Sequence, residues 1–313
     1  MVTIVEVGPR DGLQNETAAV PSQVKVAFVE ALSASGVGEI EVSAFVSPRK
    51  VPQLGDAEEV FRRMRRETGV VYSALVPNER GLERALAAGV DKVSVFTAAS
   101  ETFNRKNINT TVDGSLRRFR PVMRRARESG LPVRGYLSTA FWCAFEGRVA
   151  PQAVVDLTQR LFDLGIEEVS ISDTIGKATP QEVAGLLDLL LPKAASGRIA
   201  VHFHDTYGCG VANSLKAWEY GIRIFDASVG GLGGCPFAPG ATGNVATEAV
   251  VAALAERGAT VAVDTDKLEQ ARRLLDPFLQ DPRRSGSGAD APPCEVCASD
   301  AGESCCGHPA ASL

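Results

Sequence analysis

Thr3-Ile4-Val5-Glu6-Val7-Gly8-Pro9-Arg10-Asp11-Gly12 opens the chain with a β-branched run that breaks into a charged turn. The run reads as a strand. The turn lacks the Gly-x-Gly-x-x-Gly fingerprint expected after the first strand of a doubly wound nucleotide-binding sheet. Working outward, seven more runs of the same kind follow: Glu39–Ser43, Val70–Leu75, Lys92–Thr97, Val133–Ser138, Glu168–Ser172, Ile199–His204 and Ile224–Val229. Between them, apolar residues recur three and four apart, as in Val24, Phe28, Val29 and Leu32, or Val154, Leu157, Leu161 and Leu164. That spacing is helical. Gly36, Gly69, Gly89, Gly130, Gly165, Gly197 and Gly221 stand at the helix-to-strand joints, where helix C-caps are expected. Eight strand–helix units in about 260 residues are the rhythm of a (β/α)8 TIM barrel.

The spacing predicts a further short helix over Asp266 to Phe278. Beyond Pro282 the composition turns to Ser, Gly, Ala, Pro and Cys. The expected organisation is therefore a barrel domain over 1–282 and a flexible Cys-rich tail over 283–313. Cys294, Cys297, Cys305 and Cys306 are of zinc-ligand type, but their spacing matches no strong zinc module.

Composition narrows the function. The chain has 313 residues, 45% hydrophobic and 23% charged, with a formal net charge of -5. A nucleic-acid binder needs a basic face, which this balance argues against. No apolar run reaches the length of a membrane span, about 18 residues or more. The strand at Thr3 leaves no room for a leader peptide, and a cytoplasmic protein is expected.

The working residues of a barrel lie at the C-terminal ends of its strands. The seventh predicted strand ends Val201-His202-Phe203-His204-Asp205. Residues two apart on a strand share a face, so His202 and His204 form half a metal site. They are two of only 3 histidines. The end of the first strand supplies Arg10 and Asp11, which read as a surface ion pair or, in a barrel mouth, as a fixed cation for a developing oxyanion and a metal carboxylate. Glu41 lies in an apolar strand and needs a partner, either Arg10 or the second shell of the metal. Asp173 ends the sixth predicted strand; it reads as an active-site acid or as a helix N-cap. After the eighth strand comes Gly230-Gly231-Leu232-Gly233-Gly234-Cys235-Pro236. Four glycines in five residues make a mobile or closely approaching loop, and Cys235 on it is a candidate acid, base or nucleophile. Asn244 can add an amide oxygen. Two imidazoles with oxygen donors favour Mg2+ or Mn2+ over structural zinc.

These residues resemble the 3-hydroxy-3-methylglutaryl-CoA lyase family, metal-dependent barrel lyases related to isopropylmalate and homocitrate synthases. The resemblance rests on Val5 to Glu16, Phe45-Val46-Ser47-Pro48, Asn107 to Asn109, Val133-Arg134-Gly135-Tyr136 and His202 to Gly208. Its most specific parts are Ser228 to Phe237 and Gly243 to Glu248. The resemblance implies a homodimer or higher homo-oligomer, a divalent metal and an acyl-CoA substrate cleaved to acetyl-CoA and acetoacetate, late in leucine degradation. It also implies Asp11, His202, His204 and Asn244 as metal ligands, with Arg10 and Cys235 as catalytic residues. Glu41 and Asp173 fall on its active-site acids, with Asp173 or His202 as the general base. Gln14, Asn107 and Thr174 fall near the bound acyl-CoA. One departure stands out: Phe141 and Trp142 follow the fifth strand, where the family carries smaller residues. Bulky rings there could reshape the acyl pocket for a different 3-hydroxyacyl-CoA. A condensing synthase is the other alternative, opposed by the Cys235 loop.

Overall fold

In the computed structural model, which describes residues 1–14, 16, 18–234 and 243–279, the first strand pairs with both the second and the last. The strands are β1 (Thr3–Glu6), β2 (Glu39–Ala44), β3 (Val71–Leu75), β4 (Lys92–Ala98), β5 (Val133–Ser138), β6 (Trp142–Cys143), β7 (Gly147–Arg148), β8 (Glu168–Asp173), β9 (Ile199–Phe203) and β10 (Ile224–Ala227). β6 and β7 form a small antiparallel hairpin; the other eight close a parallel barrel in the order β1-β10-β9-β8-β5-β4-β3-β2. This is the (β/α)8 TIM barrel that the sequence predicts. Its helices are α1 (Ser22–Ser33), α2 (Ala57–Arg63), α3 (Glu79–Ala88), α4 (Glu101–Ile108), α5 (Val112–Glu128), α6 (Pro151–Asp163), α7 (Pro180–Leu190), α8 (Gly210–Glu219), α9 (Thr247–Glu256) and α10 (Thr265–Arg273).

The expected stripes face the strands: Phe28, Val29 and Leu32 of α1 and Val154, Leu157 and Leu161 of α6 are buried. Six of the seven joint glycines are left-handed, with φ from 64° to 93°. At Gly36 a Cβ would also meet the Ala262 carbonyl oxygen at 2.1 Å, so the joint after α1 demands glycine twice over. Gly197 differs: it lies in the 3-10 turn Ser196–Arg198 and has no left-handed φ. The helix over Asp266 to Phe278 is also shorter than expected. α10 stops at Arg273, and Pro277 falls in a separate 3-10 turn, Asp276–Phe278. The tail over 283–313 lies outside the described residues. No helix among the described residues is long and apolar enough to cross a membrane.

Strand alternation divides each barrel strand into a lumen face and a helix face. The register aligns Glu39 with Val5, Val5 with Asp226, and Asp226 with His202 on the lumen side. Barrel interiors are usually filled by branched aliphatic side chains. This one carries ions at its base. Lys92 Nζ lies 2.9 Å from Glu39 and 3.2 Å from Glu168, and Arg134 Nε lies 2.9 Å from Glu168. Arg134 Nη2 donates to Asp226 Oδ1 at 2.5 Å. Arg134 is 1% exposed and Asp226 2%, so removing the guanidinium leaves the Asp226 carboxylate buried without its cation, while Glu168 keeps Lys92. Arg134→Met is expected to lose about 3–5 kcal/mol of stability. The double variant Arg134→Met/Asp226→Leu should recover much of that loss. Chemical denaturation of both variants checks this.

Candidate active site

The turn after β1 is set by one carbonyl. Val7 O accepts from the backbone N–H groups of Arg10, Asp11 and Gly12, at 3.1, 2.7 and 3.2 Å. The tight winding over Gly8–Gly12 turns Arg10 inward, where it is 6% exposed. Its Nε donates to Glu41 Oε2 at 2.5 Å, and its Nη1 pairs with the Asp11 carboxylate. Glu41 also accepts from Ser94 Oγ at 2.6 Å and from Tyr136 Oη at 3.1 Å. Of the two partners considered for Glu41, the structure brings it to Arg10. Tyr136 underlies the guanidinium, with the Arg10 carbon 5.2 Å from its ring centre.

β9 ends against the segment from Gly243 to Val245. Val245 N–H donates to Phe203 O at 3.0 Å, and Asp205 N–H to Gly243 O at 2.9 Å. This short antiparallel pairing sets Asn244 opposite His204. Asn244 Nδ2 donates to Asp11 Oδ2 and to Leu232 O, each at 3.0 Å. The His202 and His204 rings lie 5.3 Å apart, and His202 Nε2 is 3.9 Å from Asp11 Oδ2. One ligand atom from each of Asp11, His202 and His204 falls within 4.8 Å of the others, so these three can hold a metal ion.

The polar atoms left over fit a cation. Asn244 Oδ1 and His204 Nδ1 are buried without a hydrogen-bond partner, and buried polar atoms are normally satisfied. Burial opposes ionisation of Asp11, but Arg10 and the two imidazoles outweigh it and hold its carboxyl at about 2. Burial, helped by the neighbouring His202, pushes His204 down to about 4. Near neutral pH the carboxylate is therefore ionised and His204 neutral, the forms in which both bind metals.

Other expected residues fall differently. Gln14 lies beside the cluster, its Nε2 3.3 Å from Asp11 Oδ1. Thr174 Oγ1 accepts from Thr139 N–H at 2.7 Å, at the mouth end of β8. Asn107 sits on an exposed turn of α4; the buried amide of that helix is Asn104, which bonds the Ala98 backbone. Asp173 pairs in register with Phe203, one residue past the lumen-facing Ser172 and His202 pair. Its carboxylate therefore turns to the helix side, accepting from Lys177 N–H at 3.2 Å and Ala178 N–H at 2.8 Å. Burial lifts its pKa to about 7. It is not the N-cap of α7 either, which is Thr179. Cys235 lies outside the described residues.

The two bulky residues after β5 leave the lumen alone. Phe141 packs against Phe203 on the helix face of β9, ring centres 6.3 Å apart. Trp142 donates from Nε1 to Glu182 of α7 at 3.2 Å and lies under Lys177. Sequence reasoning assigned no role to Tyr136, Ser94 or Asp226. Asp226 Oδ2 lies 3.4 Å from His202 Nδ1 and accepts from Ser170 Oγ at 2.8 Å. Alternation along Arg134-Gly135-Tyr136 would have pointed both Arg134 and Tyr136 inward.

Residues 1–275 match the HMGL-like family model. The chain is 47% identical over 270 residues to the cytoplasmic 3-hydroxy-3-methylglutaryl-CoA lyase of Rattus norvegicus, covering 86% of this chain and 79% of the relative. The crystal structure of the HMG-CoA lyase from Brucella melitensis superposes with a TM-score of 0.87 at 49% identity, covering 90% of this chain and 99% of that one. An HMG-CoA lyase from Acinetobacter baumannii, in complex with coenzyme A and 3-methylmalate, has a TM-score of 0.85 at 36% identity over 94% and 97% of the two chains. With a family match over nearly the whole described barrel, and a histidine–carboxylate cluster at its C-terminal mouth, this chain belongs to the HMGL-like family.

Proposed function

We propose that this protein is a metal-dependent carbon–carbon lyase that cleaves 3-hydroxy-3-methylglutaryl-CoA to acetyl-CoA and acetoacetate. The observation that carries the reading is the Asp11–His202–His204 cluster with Arg10 beside it, in a chain 47% identical to a lyase of that name. The reaction releases the 3-hydroxyl proton and breaks the C2–C3 bond. C3 becomes the ketone of acetoacetate, and the bonding electrons pass to the thioester enolate, whose carbon then takes a proton.

Asp11, His202, His204 and Asn244 would hold the divalent cation. Their nitrogen and oxygen donors suit Mg2+ or Mn2+. Bound there, the cation supplies a Lewis acid that makes the substrate hydroxyl more acidic. Arg10, fixed by Glu41 and Asp11, neutralises charge growing on the thioester oxygen. His202 presents Nε2 to the cluster and rests Nδ1 near Asp226, so ligation and proton acceptance compete for one atom. Asp173 faces away from the lumen and acts on the loop that carries Thr174. Gln14 and Thr174 line the way to the acyl group, and Asn107 belongs to the CoA end. Cys235, by its place after the glycine loop, delivers the proton to the acetyl carbon. The family resemblance also supports a homo-oligomer working in the cytoplasm, late in leucine degradation.

Purified protein loaded with Mn2+ should release acetyl-CoA from 3-hydroxy-3-methylglutaryl-CoA, and chelation should abolish the release. Absence of cleavage with metal bound would exclude this substrate. His204→Ala should bind Mn2+ at least about 10-fold more weakly, measured by calorimetry, and an unchanged affinity removes it from the ligand set. Cys235→Ala should keep its metal while turnover falls by about 10²–10⁴-fold, the contribution typical of a general acid. Wild-type turnover in that variant would take the thiol out of the reaction.

A further inference from the structure

Glu6 is the last residue of β1 and is fully buried. It is aligned with Ala227 and Ile40, one residue off the lumen-facing Val5, so its side chain points to the helix side and away from any substrate. Three neutral donors converge on it from distant parts of the chain. Oε1 accepts from Gly8 N–H at 2.8 Å and from Val229 N–H at 3.0 Å. Oε2 accepts from Thr247 Oγ1 at 2.6 Å. Each donor stands at the root of a working segment. Gly8 begins the turn that carries Arg10 and Asp11. Val229 begins the 3-10 turn that leads into the glycine loop. Thr247 is the first residue of α9, three after Asn244.

We infer that Glu6 is a positioning residue of the active site, a buried clip that sets the Arg10–Asp11 turn, the glycine loop and Asn244 at fixed distances from one another. The inference rests on the site reading given above. Close approach around the clip is tight on all sides. A Cβ on Gly8 would fall 2.7 Å from Glu6 Oε1, and one on Gly233 would fall 2.7 Å from Asn244 Nδ2. Glu248 fastens the next peptide, accepting from Gly230 N–H at 3.1 Å with either oxygen. The loop is therefore held at two consecutive amides by two acids from different elements. Burial pushes the Glu6 carboxyl up to about 7 despite its three donors. An apolar side chain would fill the same space without that cost, but would leave Gly8, Val229 and Thr247 with no common acceptor.

The test compares Glu6→Asp, Glu6→Gln and Thr247→Val with the wild type. Glu6→Asp retracts the acceptor by one methylene; Glu6→Gln keeps an oxygen for both amides; Thr247→Val removes one arm. Glu6→Asp is expected to lower kcat and weaken Mn2+ binding by about 10- to 100-fold with KM little changed, the range seen when groups behind a metal site are lost. Hydrogen exchange should accelerate in peptides covering Gly8–Gly12 and Val229–Gly234. Glu6→Gln should restore most of kcat, and Thr247→Val should lie between. A lowered melting temperature with wild-type kcat and Mn2+ affinity in the folded Glu6→Asp protein would reduce Glu6 to a core acid and overturn the inference. Should Glu6→Asp not fold, wild-type kcat, Mn2+ affinity and exchange in Thr247→Val would overturn it equally. A wild-type protein without lyase activity would sink the proposed reaction instead, leaving exchange and Mn2+ binding to judge the clip.

Discussion

The site depends on one buried guanidinium. Arg10 is closed in between Glu41, Asp11 and the face of Tyr136, with its neighbours themselves bonded to Ser94, Gln14 and Asn244. An isolated charge at this depth would be prohibitively costly. Two carboxylates make it tolerable, and in return Arg10 keeps Asp11 ionised far below the ordinary range. Such networks give little net stability, because desolvation offsets most of the attraction. What they do deliver is a cation that cannot swing away. A cation held in this manner suits the role proposed for Arg10, meeting a developing oxyanion without reorganising.

Much of this was legible in the sequence, and the reasons are physical. Seven of the eight predicted strands start at the observed residue and the other starts one residue early, because β-branched runs between glycine joints leave few alternatives. His202 and His204 were readable because strand alternation is strict, and because the C-terminal ends of barrel strands are where chemistry collects. Asp173 shows where the same rule needed one more step. It ends its strand as expected but one residue out of phase with Ser172, so alternation turns its carboxylate to the Lys177 and Ala178 amides. Asn107 lies on the exposed face of α4, and Asn104 is that helix's buried amide. A helix turns its face every residue, and motif position alone does not say which amide of α4 is buried.

The interior ions were not read at all. Arg134 and Asp226 lie 92 residues apart, and only barrel closure, which sets β5, β8, β9 and β10 side by side, brings them together. Phe141 and Trp142 taught the converse. Size says nothing about direction, and their rings turn to contacts with Phe203 and Glu182.

The lumen can then be seen as two linked layers. Below, Lys92, Glu39, Glu168, Arg134 and Asp226 form an ionic base. Above, Arg10, Glu41, Asp11, His202 and His204 form a second charged layer at the mouth. Asp226 belongs to both, because its two oxygens divide between Arg134 on one side and Ser170 and His202 on the other. A branched aliphatic filling would pack as densely. It would not place a carboxylate 3.4 Å from Nδ1 of His202, the nitrogen turned away from Asp11, where a nearby acceptor limits the ring's tautomer and tilt. The charged base is thus the lower half of the site's alignment, as the Val7 turn and the Glu6 clip are its upper half.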